Sequence, residues 1–275
     1  MASGRRFWKM SGSGNDFVFV DGRTELSTEY QDPETIARIC ARGTGVGADG
    51  LVILTRPRSA DANVALTYYN ADGSLAELCG NATLCTASLA VRLGVVDPSG
   101  FAIETGTGVL RARIRNGRPE FDLALIDEAE PDFEAIAPMP GELHVGFATA
   151  GIPHVVIQVV DVGGCDVVGR GRSVRHHRAL PNGANANFVA RGADGIWRIR
   201  TYERGVEAET LACGTGSVAT ALMLNLWGEA TGDVELETAS GGTLGVRSHR
   251  DAKGIWHASL RGEGRLVYEG VLADV

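Results

Sequence analysis

The stretch CGNATLCTASLAVRLG, from Cys79 to Gly94, returns later in the chain as CGTGSVATALMLNLWG, from Cys213 to Gly228. Each copy starts with Cys-Gly and a small polar residue, continues as an apolar run of helical length, and ends in glycine. A Glu-Thr pair follows at nearly the same distance in both cases, at Glu104-Thr105 and at Glu237-Thr238. An internal repeat of this kind predicts two similar half-molecules.

The two repeated segments predict helices that are apolar on nearly every face. The first carries a single charge, Arg92, and the second carries none between Val218 and Trp227. A helix that is hydrophobic all round is normally buried all round. We therefore expect each helix at the centre of its own half, wrapped by strands, with Gly94 and Gly228 as C-terminal caps.

The surrounding sequence predicts mainly strands. Residues 15–21 are typical of a strand. Asp32 and Pro33 are typical of the start of a helix, which is predicted to continue to about Arg42. Asn116-Gly117 is typical of a hairpin turn. Further strands are predicted at residues 51–55, 63–69, around 101–115, 154–162, 187–191, 196–202 and 265–271, and an irregular connection at 127–141. The predicted fold class is α/β (α+β). The predicted N-terminal half is 1–117, with 265–275 returning as its last strand, and the predicted C-terminal half is 118–264.

Composition excludes several classes of protein. The 275 residues carry a net charge of −8, which argues against sequence-independent nucleic-acid binding. No apolar run is long enough to suggest a membrane span, and the N-terminus does not resemble a secretory signal. Lys9 and Lys253 are the only lysines, and neither lies in a motif that predicts a pyridoxal phosphate site. Five cysteines without zinc spacing favour thiols in a reducing cytosol, with no cofactor and no metal.

Cys79 and Cys213 are the candidate reactive groups. A single cysteine is most often a buried core residue, and Cys40, Cys85 and Cys165 are interpreted in that way. Two cysteines at equivalent helix starts instead indicate chemistry, because the helix start lowers a thiol pKa and its N–H groups bind anions. One thiolate could then remove an α-proton while the opposing thiol delivers one to the other face.

Other motifs have an ordinary explanation beside the functional one. GVGADG at 45–50 matches the dinucleotide fingerprint, but a helix precedes it and a strand follows, so a Rossmann site is rejected. Glu203 and Arg204 could form an exposed charged loop, or a partner for an ammonium group and a clamp for a carboxylate. His154 alone would usually be a structural histidine.

Five segments together resemble the diaminopimelate epimerase family. They are KMSGSGNDFVFVD (9–21), YNADGSLAELCGN (69–81), GIPHVVIQV (151–159), LPNGANANFV (180–189) and YERGVEAETLACGTG (202–216). The resemblance implies two pseudo-symmetric halves, each a strand-rich barrel around a central helix, with the active site in the cleft. It also implies a cytoplasmic, cofactor-independent isomerase of LL- and meso-diaminopimelate in lysine and peptidoglycan precursor synthesis. The family often forms dimers.

The resemblance implies a role for each matching residue. Cys79 and Cys213 would be the two bases, supported by Glu203 and His154. Substrate contacts would come from Asn15, Asn70, Gly80, Asn81, Asn185, Glu203, Arg204, Gly214 and Thr215, of which Asn70, Asn185 and Arg204 hold the distal end of the substrate. Gly50 and Ile152 stand where many members have substrate-contacting amides. A racemase of another amino acid, similar to histidine racemases, and a non-catalytic binding protein of the same fold therefore stay open as alternatives.

Overall fold

The computed structural model of the chain describes residues 4–24, 28–76 and 79–273. The chain forms two compact units, Met1–Phe121 with Arg261–Val275, and Asp122–Leu260. These limits differ by a few residues from the expected halves. The difference arises because a hairpin strand that follows the Asn116-Gly117 turn stays paired with the strand before it.

The first unit consists of strands with one helix on the sheet and one helix inside. Its elements are β1 (Arg6–Gly12), β2 (Asn15–Asp21), α1 (Pro33–Cys40), β3 (Gly50–Thr55), β4 (Val64–Asn70), β5 (Leu75–Ala76), α2 (Gly80–Arg92), β6 (Phe101–Thr105), β7 (Gly108–Arg115) and β8 (Arg118–Asp122). β2 pairs antiparallel with β1 and parallel with β3. β4 pairs antiparallel with β3 and β5 and parallel with β6, and β6, β7 and β8 continue antiparallel.

The second unit repeats this order element by element after a short strand, β9 (Ala129–Glu130). Its elements are β10 (Glu142–Ala150), β11 (Ile152–Val159), α3 (Val167–Arg175), β12 (Asn185–Arg191), β13 (Trp197–Glu203), β14 (Ala208–Thr210), α4 (Gly214–Leu226), β15 (Asp233–Glu237), β16 (Thr243–Arg250) and β17 (Trp256–Arg261). β11 pairs antiparallel with β10 and parallel with β12, and β13 pairs antiparallel with β12 and β14 and parallel with β15. The predicted duplication is confirmed, and these pairings have the same sense as their counterparts in the first unit.

The last strand, β18 (Arg265–Val271), pairs antiparallel with β1 in the first unit. The segment at 127–141, predicted to be irregular, is so except for β9, which pairs with β10. Asn116 and Gly117 both have positive φ, of 52° and 74°, so the predicted hairpin turn is confirmed.

The short helices α1 and α3 pack against the strands of their units, and an aspartate caps the N-terminus of each. Asp32 accepts a hydrogen bond from the Thr35 backbone N–H, with Pro33 as the first helical residue, as predicted. The helix ends at Cys40, before the predicted Arg42. In the second unit Asp166 caps α3 in the same way. Ile36, Ile39 and Leu51 belong to the core of the first unit, and Val167, Val174 and Phe188 to that of the second.

The repeated helices α2 and α4 are buried, as their composition predicts. Nine consecutive residues of α4, from Gly216 to Leu224, are buried, and α4 contacts β10, β11, β12 and β16. α2 is buried from Asn81 to Ala87 and contacts β1, β4 and β7. Gly94 and Gly228 follow the helices with φ of 68° and 76°, as expected of C-terminal caps. Each unit therefore presents the start of a buried helix, with its cysteine, at one end of the strands.

Candidate active site

Cys213 is the N-cap residue of α4 and is 8% exposed. Its Sγ accepts a hydrogen bond from the Gly216 backbone N–H at 3.4 Å. Thr215 Oγ1 lies 3.6 Å from the sulfur, and Asn185 Nδ2 donates to it at 3.7 Å. The Gly216 N–H and the Asn185 amide thus donate to the sulfur, and each would stabilise a thiolate more than a thiol.

The carboxyl group of Glu203, at the end of β13, is hydrogen-bonded to Cys213 and accepts a further hydrogen bond from Thr210 Oγ1 at 2.6 Å. Burial raises the pKa of Glu203, and the hydrogen bonds from Thr210 and Cys213 oppose that rise. Burial and then the charge of Glu203 raise the pKa of Cys213 to about 12. The expectation that the helix start lowers this thiol pKa toward neutrality is therefore wrong, because burial and a neighbouring carboxylate outweigh it.

Asn185 links Cys213 to Arg204. The Asn185 side-chain oxygen accepts a hydrogen bond from the Arg204 backbone N–H at 2.8 Å, while its nitrogen points at the Cys213 sulfur. The Arg204 guanidinium donates to the Asn182 carbonyl at 3.1 Å. Glu203, Arg204, Asn185 and Cys213 are therefore brought together, which their separation in the sequence does not itself require.

His154 is fully buried in β11, and burial, followed by the charge of Arg204, lowers its pKa to about 3. Its Nδ1 lies 3.2 Å from Asn187 Nδ2, and Asn187 Oδ1 accepts from Thr201 Oγ1 at 3.0 Å. Sequence reasoning missed Asn187 and Thr201. The available signal was the Asn-Ala-Asn spacing, since alternate residues of a strand share one face.

In the first unit Cys79 is the N-cap residue of α2 and is half-buried. Its carbonyl accepts hydrogen bonds from the Thr83 backbone N–H and Oγ1, at 2.9 and 3.0 Å. Asn81, in the first turn, donates through Nδ2 to Asn15 Oδ1 at 2.7 Å, and Asn15 Nδ2 donates to Asp49 Oδ2 at 3.0 Å. Asn15 and Asn81 are therefore brought together at the start of α2, and Asp49 fixes the orientation of both amides.

A cluster of ion pairs holds Asp49 in place, and sequence reasoning missed it. Arg42 bridges Asp16 and Asp49, at 2.6 and 2.7 Å. Lys9 is 6% exposed, forms an ion pair with Asp16 at 2.6 Å, and donates to the Gly47 carbonyl. Lys9 thus has a structural role beside the site, because it holds Asp16 and the Gly47 carbonyl.

Gly50, one of the two positions where the resemblance implies a substrate-contacting amide, has a packing explanation. A Cβ atom at this position would lie 2.4 Å from the Tyr69 carbonyl oxygen and 2.5 Å from Cε2 of Tyr68. Tyr68 is 8% exposed, and burial, followed by the charge of Cys79, raises its pKa. The ring of Tyr68 therefore takes the space into which a longer side chain at Gly50 would project. The Asn70 amide, which pairs with Gly50 across β3 and β4, is exposed and donates to Ser74 Oγ.

The remaining predicted residues lie at the helix starts or beside them. Gly80 and Gly214 are the first residues of α2 and α4, and Thr215 follows Gly214. A Cβ atom at Gly214 would lie 2.7 Å from a Leu260 methyl group. None of the five cysteines forms a disulfide bond. Within residues 4–24, 28–76 and 79–273, no cluster of three or more metal-ligating side chains is found, and no helix is long and apolar enough to span a membrane.

A duplicated α+β fold with a cysteine at the start of each buried helix defines an isomerase of the amino-acid epimerase and racemase class. The sequence profile of one family, described as diaminopimelate epimerase, matches residues 7–126 and 146–265. The chain belongs to the diaminopimelate epimerase family.

Relatives match along nearly the whole chain. A diaminopimelate epimerase of Gemmatimonas aurantiaca is 47% identical over 278 residues, which is 98% of this chain and 99% of the relative. One of Aquifex aeolicus is 36% identical over 277 residues and covers 98% of each. Among solved structures, a phenazine biosynthesis protein of the PhzF family from Bacillus anthracis has a TM-score of 0.73 at 16% identity and covers 98% of each chain. A probable proline racemase from Agrobacterium radiobacter has a TM-score of 0.67 at 17% identity, covering 98% of this chain and 93% of its own. The solved structures share the fold.

Proposed function

We propose that this chain is a cofactor-independent epimerase that interconverts LL- and meso-diaminopimelate, with Cys79 and Cys213 as its two acid–base groups. The observation that carries the proposal is the pair of cysteines at equivalent starts of two buried helices. Family membership and the relatives named diaminopimelate epimerase support the choice of substrate. The reaction would serve lysine and peptidoglycan precursor synthesis.

The chemistry follows from the proton on Cys213. Because its pKa is raised to about 12, this residue rests as a thiol and is ready to act as an acid. In one direction a thiolate at Cys79 removes the α-proton, and the Cys213 thiol gives its proton to the opposite face of the carbanion. In the other direction Cys213 must first become a thiolate, and the hydrogen-bonded Glu203 carboxylate is the acceptor within reach.

Binding of the substrate would use the two helix starts and the polar groups beside them. The N–H groups of Gly80, Asn81, Gly214 and Thr215 would bind the carboxylate of the reacting centre, where negative charge develops as the α-proton leaves. Asn15 would contact the substrate beside Asn81. At the distal end, Arg204 would pair with the second carboxylate, with Asn70 and Asn185 as further contacts.

The test is α-deuterium incorporation from heavy water, followed by NMR on each diaminopimelate isomer. The wild-type protein is expected to exchange and epimerise both isomers, and Cys79→Ala and Cys213→Ala are each expected to lose epimerisation. Cys165→Ala is the matched control, because Cys165 is a half-buried thiol outside the site, and it should keep wild-type turnover. A wild-type protein that leaves the α-proton in place, or either site variant with full epimerisation, would contradict the proposal.

A second candidate is a racemase of another amino acid with the same cysteine pair. Two observations favour it: Tyr68 fills the space beside Gly50, and Ile152 brings an aliphatic side chain where many members have an amide. Both changes concern substrate recognition and leave the proton-transfer groups intact. Turnover of diaminopimelate should be compared with turnover of single amino acids, and faster turnover of a substrate without a second carboxylate would favour this candidate.

We also propose a cytoplasmic location and a homodimer. The location rests on a pathway of small cytoplasmic metabolites and on five cysteines that form no disulfide. Size-exclusion chromatography with light scattering tests the dimer, for which a mass near twice 29.0 kDa is expected.

A further inference from the structure

Three buried polar side chains on neighbouring strands of the second unit form one hydrogen-bonded chain. His154 lies in β11, Asn187 in β12 and Thr201 in β13, and their exposed fractions are 0%, 0% and 3%. Asn187 Nδ2 is 3.1 Å from the Val155 carbonyl oxygen and 3.2 Å from His154 Nδ1. Asn187 Oδ1 accepts from Thr201 Oγ1 at 3.0 Å.

The Val155 carbonyl fixes the orientation of the Asn187 amide. A carbonyl oxygen only accepts hydrogen bonds, so the atom facing it must be the amide nitrogen. If the amide were turned round, its oxygen would face both the Val155 oxygen and the imidazole, and Thr201 alone would face the nitrogen. The nitrogen has two hydrogens, one for the Val155 oxygen and one for His154. His154 Nδ1 is therefore a hydrogen-bond acceptor.

The proton of His154 must then be on the other ring nitrogen. Burial keeps the imidazole neutral, and a neutral imidazole carries one proton. With Nδ1 as an acceptor, that proton is on Nε2. Nε2 is buried and has no hydrogen-bond partner among the described residues. A buried N–H group that the protein leaves unsatisfied costs free energy, and a ligand atom that accepts its hydrogen bond would recover it.

Asn187 also lies directly against the first turn of α4. A Cβ atom at Gly216 would be 2.2 Å from Asn187 Oδ1 and 3.2 Å from Cys213 Sγ. Only glycine at this position leaves room for the amide. The same Gly216 donates its backbone N–H to the Cys213 sulfur, so the hydrogen-bonded chain that ends at His154 packs against the turn that holds Cys213.

We propose that Asn187, held by Thr201 and the Val155 carbonyl, is a positioning residue that fixes His154 as its Nε2–H tautomer. The imidazole then offers a donor to an acceptor atom of the ligand bound at the start of α4, such as a carboxylate oxygen. The effect on turnover rests on the proposed function, whereas the tautomer itself does not.

Nitrogen-15 NMR of histidine-labelled protein without ligand reads the tautomer directly. The His154 signals are assigned by their loss in His154→Asn. In the wild-type protein we expect an unprotonated Nδ1 and a protonated Nε2. Asn187→Asp places a carboxyl oxygen opposite Nδ1, which favours a proton there, so we expect the spectrum to change toward the Nδ1–H tautomer. With diaminopimelate as substrate, kcat should fall about 10- to 100-fold, with a smaller change in KM.

A pair of Thr→Val variants supplies the matched control. Thr201→Val removes the donor to Asn187 Oδ1 and should reduce the Nε2–H population. Thr220→Val makes the same chemical change at a buried hydroxyl for which no hydrogen-bond partner is found in the described part of the chain. It should leave both the spectrum and kcat unchanged. Both variants are milder than a charge at position 187, and circular dichroism establishes that each is folded.

The outcomes separate the two claims. A proton on Nδ1 in the wild-type protein, or an unchanged spectrum in folded Asn187→Asp, overturns the tautomer assignment. A changed spectrum with wild-type kcat overturns the role in turnover. The expected spectrum in a wild-type protein that does not epimerise diaminopimelate supports the tautomer assignment and removes the proposed function instead.

Discussion

The starts of α2 and α4 have the same backbone and different surroundings. In the parallel ladders, Phe17 pairs with Gly50 in the first unit, where His154 pairs with Asn185 in the second. An apolar ring and a glycine thus lie at the positions where the second unit has a histidine and an amide. Cys79 is half-buried, whereas Cys213 is 8% exposed and is hydrogen-bonded to a carboxyl group. Duplication therefore determines where the two sulfurs lie within their units, and the side chains around each sulfur determine its burial and its hydrogen bonds.

The supports behind the two helix starts also differ. In the first unit, charges orient the Asn15 and Asn81 amides, through Asp49, Arg42 and Asp16. In the second unit, neutral buried groups do the equivalent work, through Asn187 and Thr201. Exposed ion pairs are weak and sensitive to salt, whereas buried hydrogen bonds are costly to break. The comparison leads to three measurements.

The largest effect is expected from Glu203→Gln. In the proposed mechanism Glu203 accepts the proton of Cys213, so without the carboxylate epimerisation should fall about 100- to 10,000-fold. The same change removes a negative charge that raises the pKa of Cys213, so that pKa should fall. Alkylation of Cys213 at pH 9, mapped by mass spectrometry, should therefore become faster while turnover becomes slower. If both rates fell together, the carboxylate would not be raising the thiol pKa.

A smaller effect is expected on folding stability when the pH is lowered. The pKa of His154 is about 3 in the folded protein and 6.5 ordinarily, so the unfolded chain binds the extra proton first as pH falls. Folding stability should therefore decrease between about pH 6.5 and pH 3, by a few kcal/mol at about 1.4 kcal/mol per pKa unit. His154→Asn keeps an acceptor for Asn187 and should lose less stability over this interval. Urea unfolding at several pH values measures the stability of the wild-type protein and of His154→Asn. If both lost the same stability over this interval, the low pKa would not belong to His154.

The smallest effect is expected at the charged support. Arg42 has a side chain that is 62% exposed, so Arg42→Gln should cost less than about 1 kcal/mol of folding stability. Its effect should vanish near 1 M salt, where the screening length is about 3 Å. Thr201→Val in the other unit should cost about 1–3 kcal/mol at any salt concentration, because it leaves a buried amide oxygen unsatisfied. A larger or salt-independent loss in Arg42→Gln would show that the two supports do not differ as described.

Much of the fold could be predicted because it depends on local pattern. The two apolar helices, the Asp32 cap and the Asn116-Gly117 turn each follow from neighbouring residues. Lys9 and Asn187 could not be placed in the same way. From the sequence alone Lys9 is expected at the surface, whereas in the structure it is paired with Asp16 and donates to the Gly47 carbonyl. From the sequence alone Asn187 is one polar residue in a strand. Its contacts with His154, Val155 and Thr201 depend on the registers of β11, β12 and β13, which the sequence does not show.

The sequence by itself determined the duplication, the two cysteines at helix starts and the family, because each depends on residues close together in the chain. Only the tertiary structure decided that Cys213 holds its proton tightly and that Tyr68 takes the space beside Gly50. Burial and the charge or bulk of a neighbour decide such properties, and both depend on residues that are remote in sequence or on a strand register that no single segment specifies.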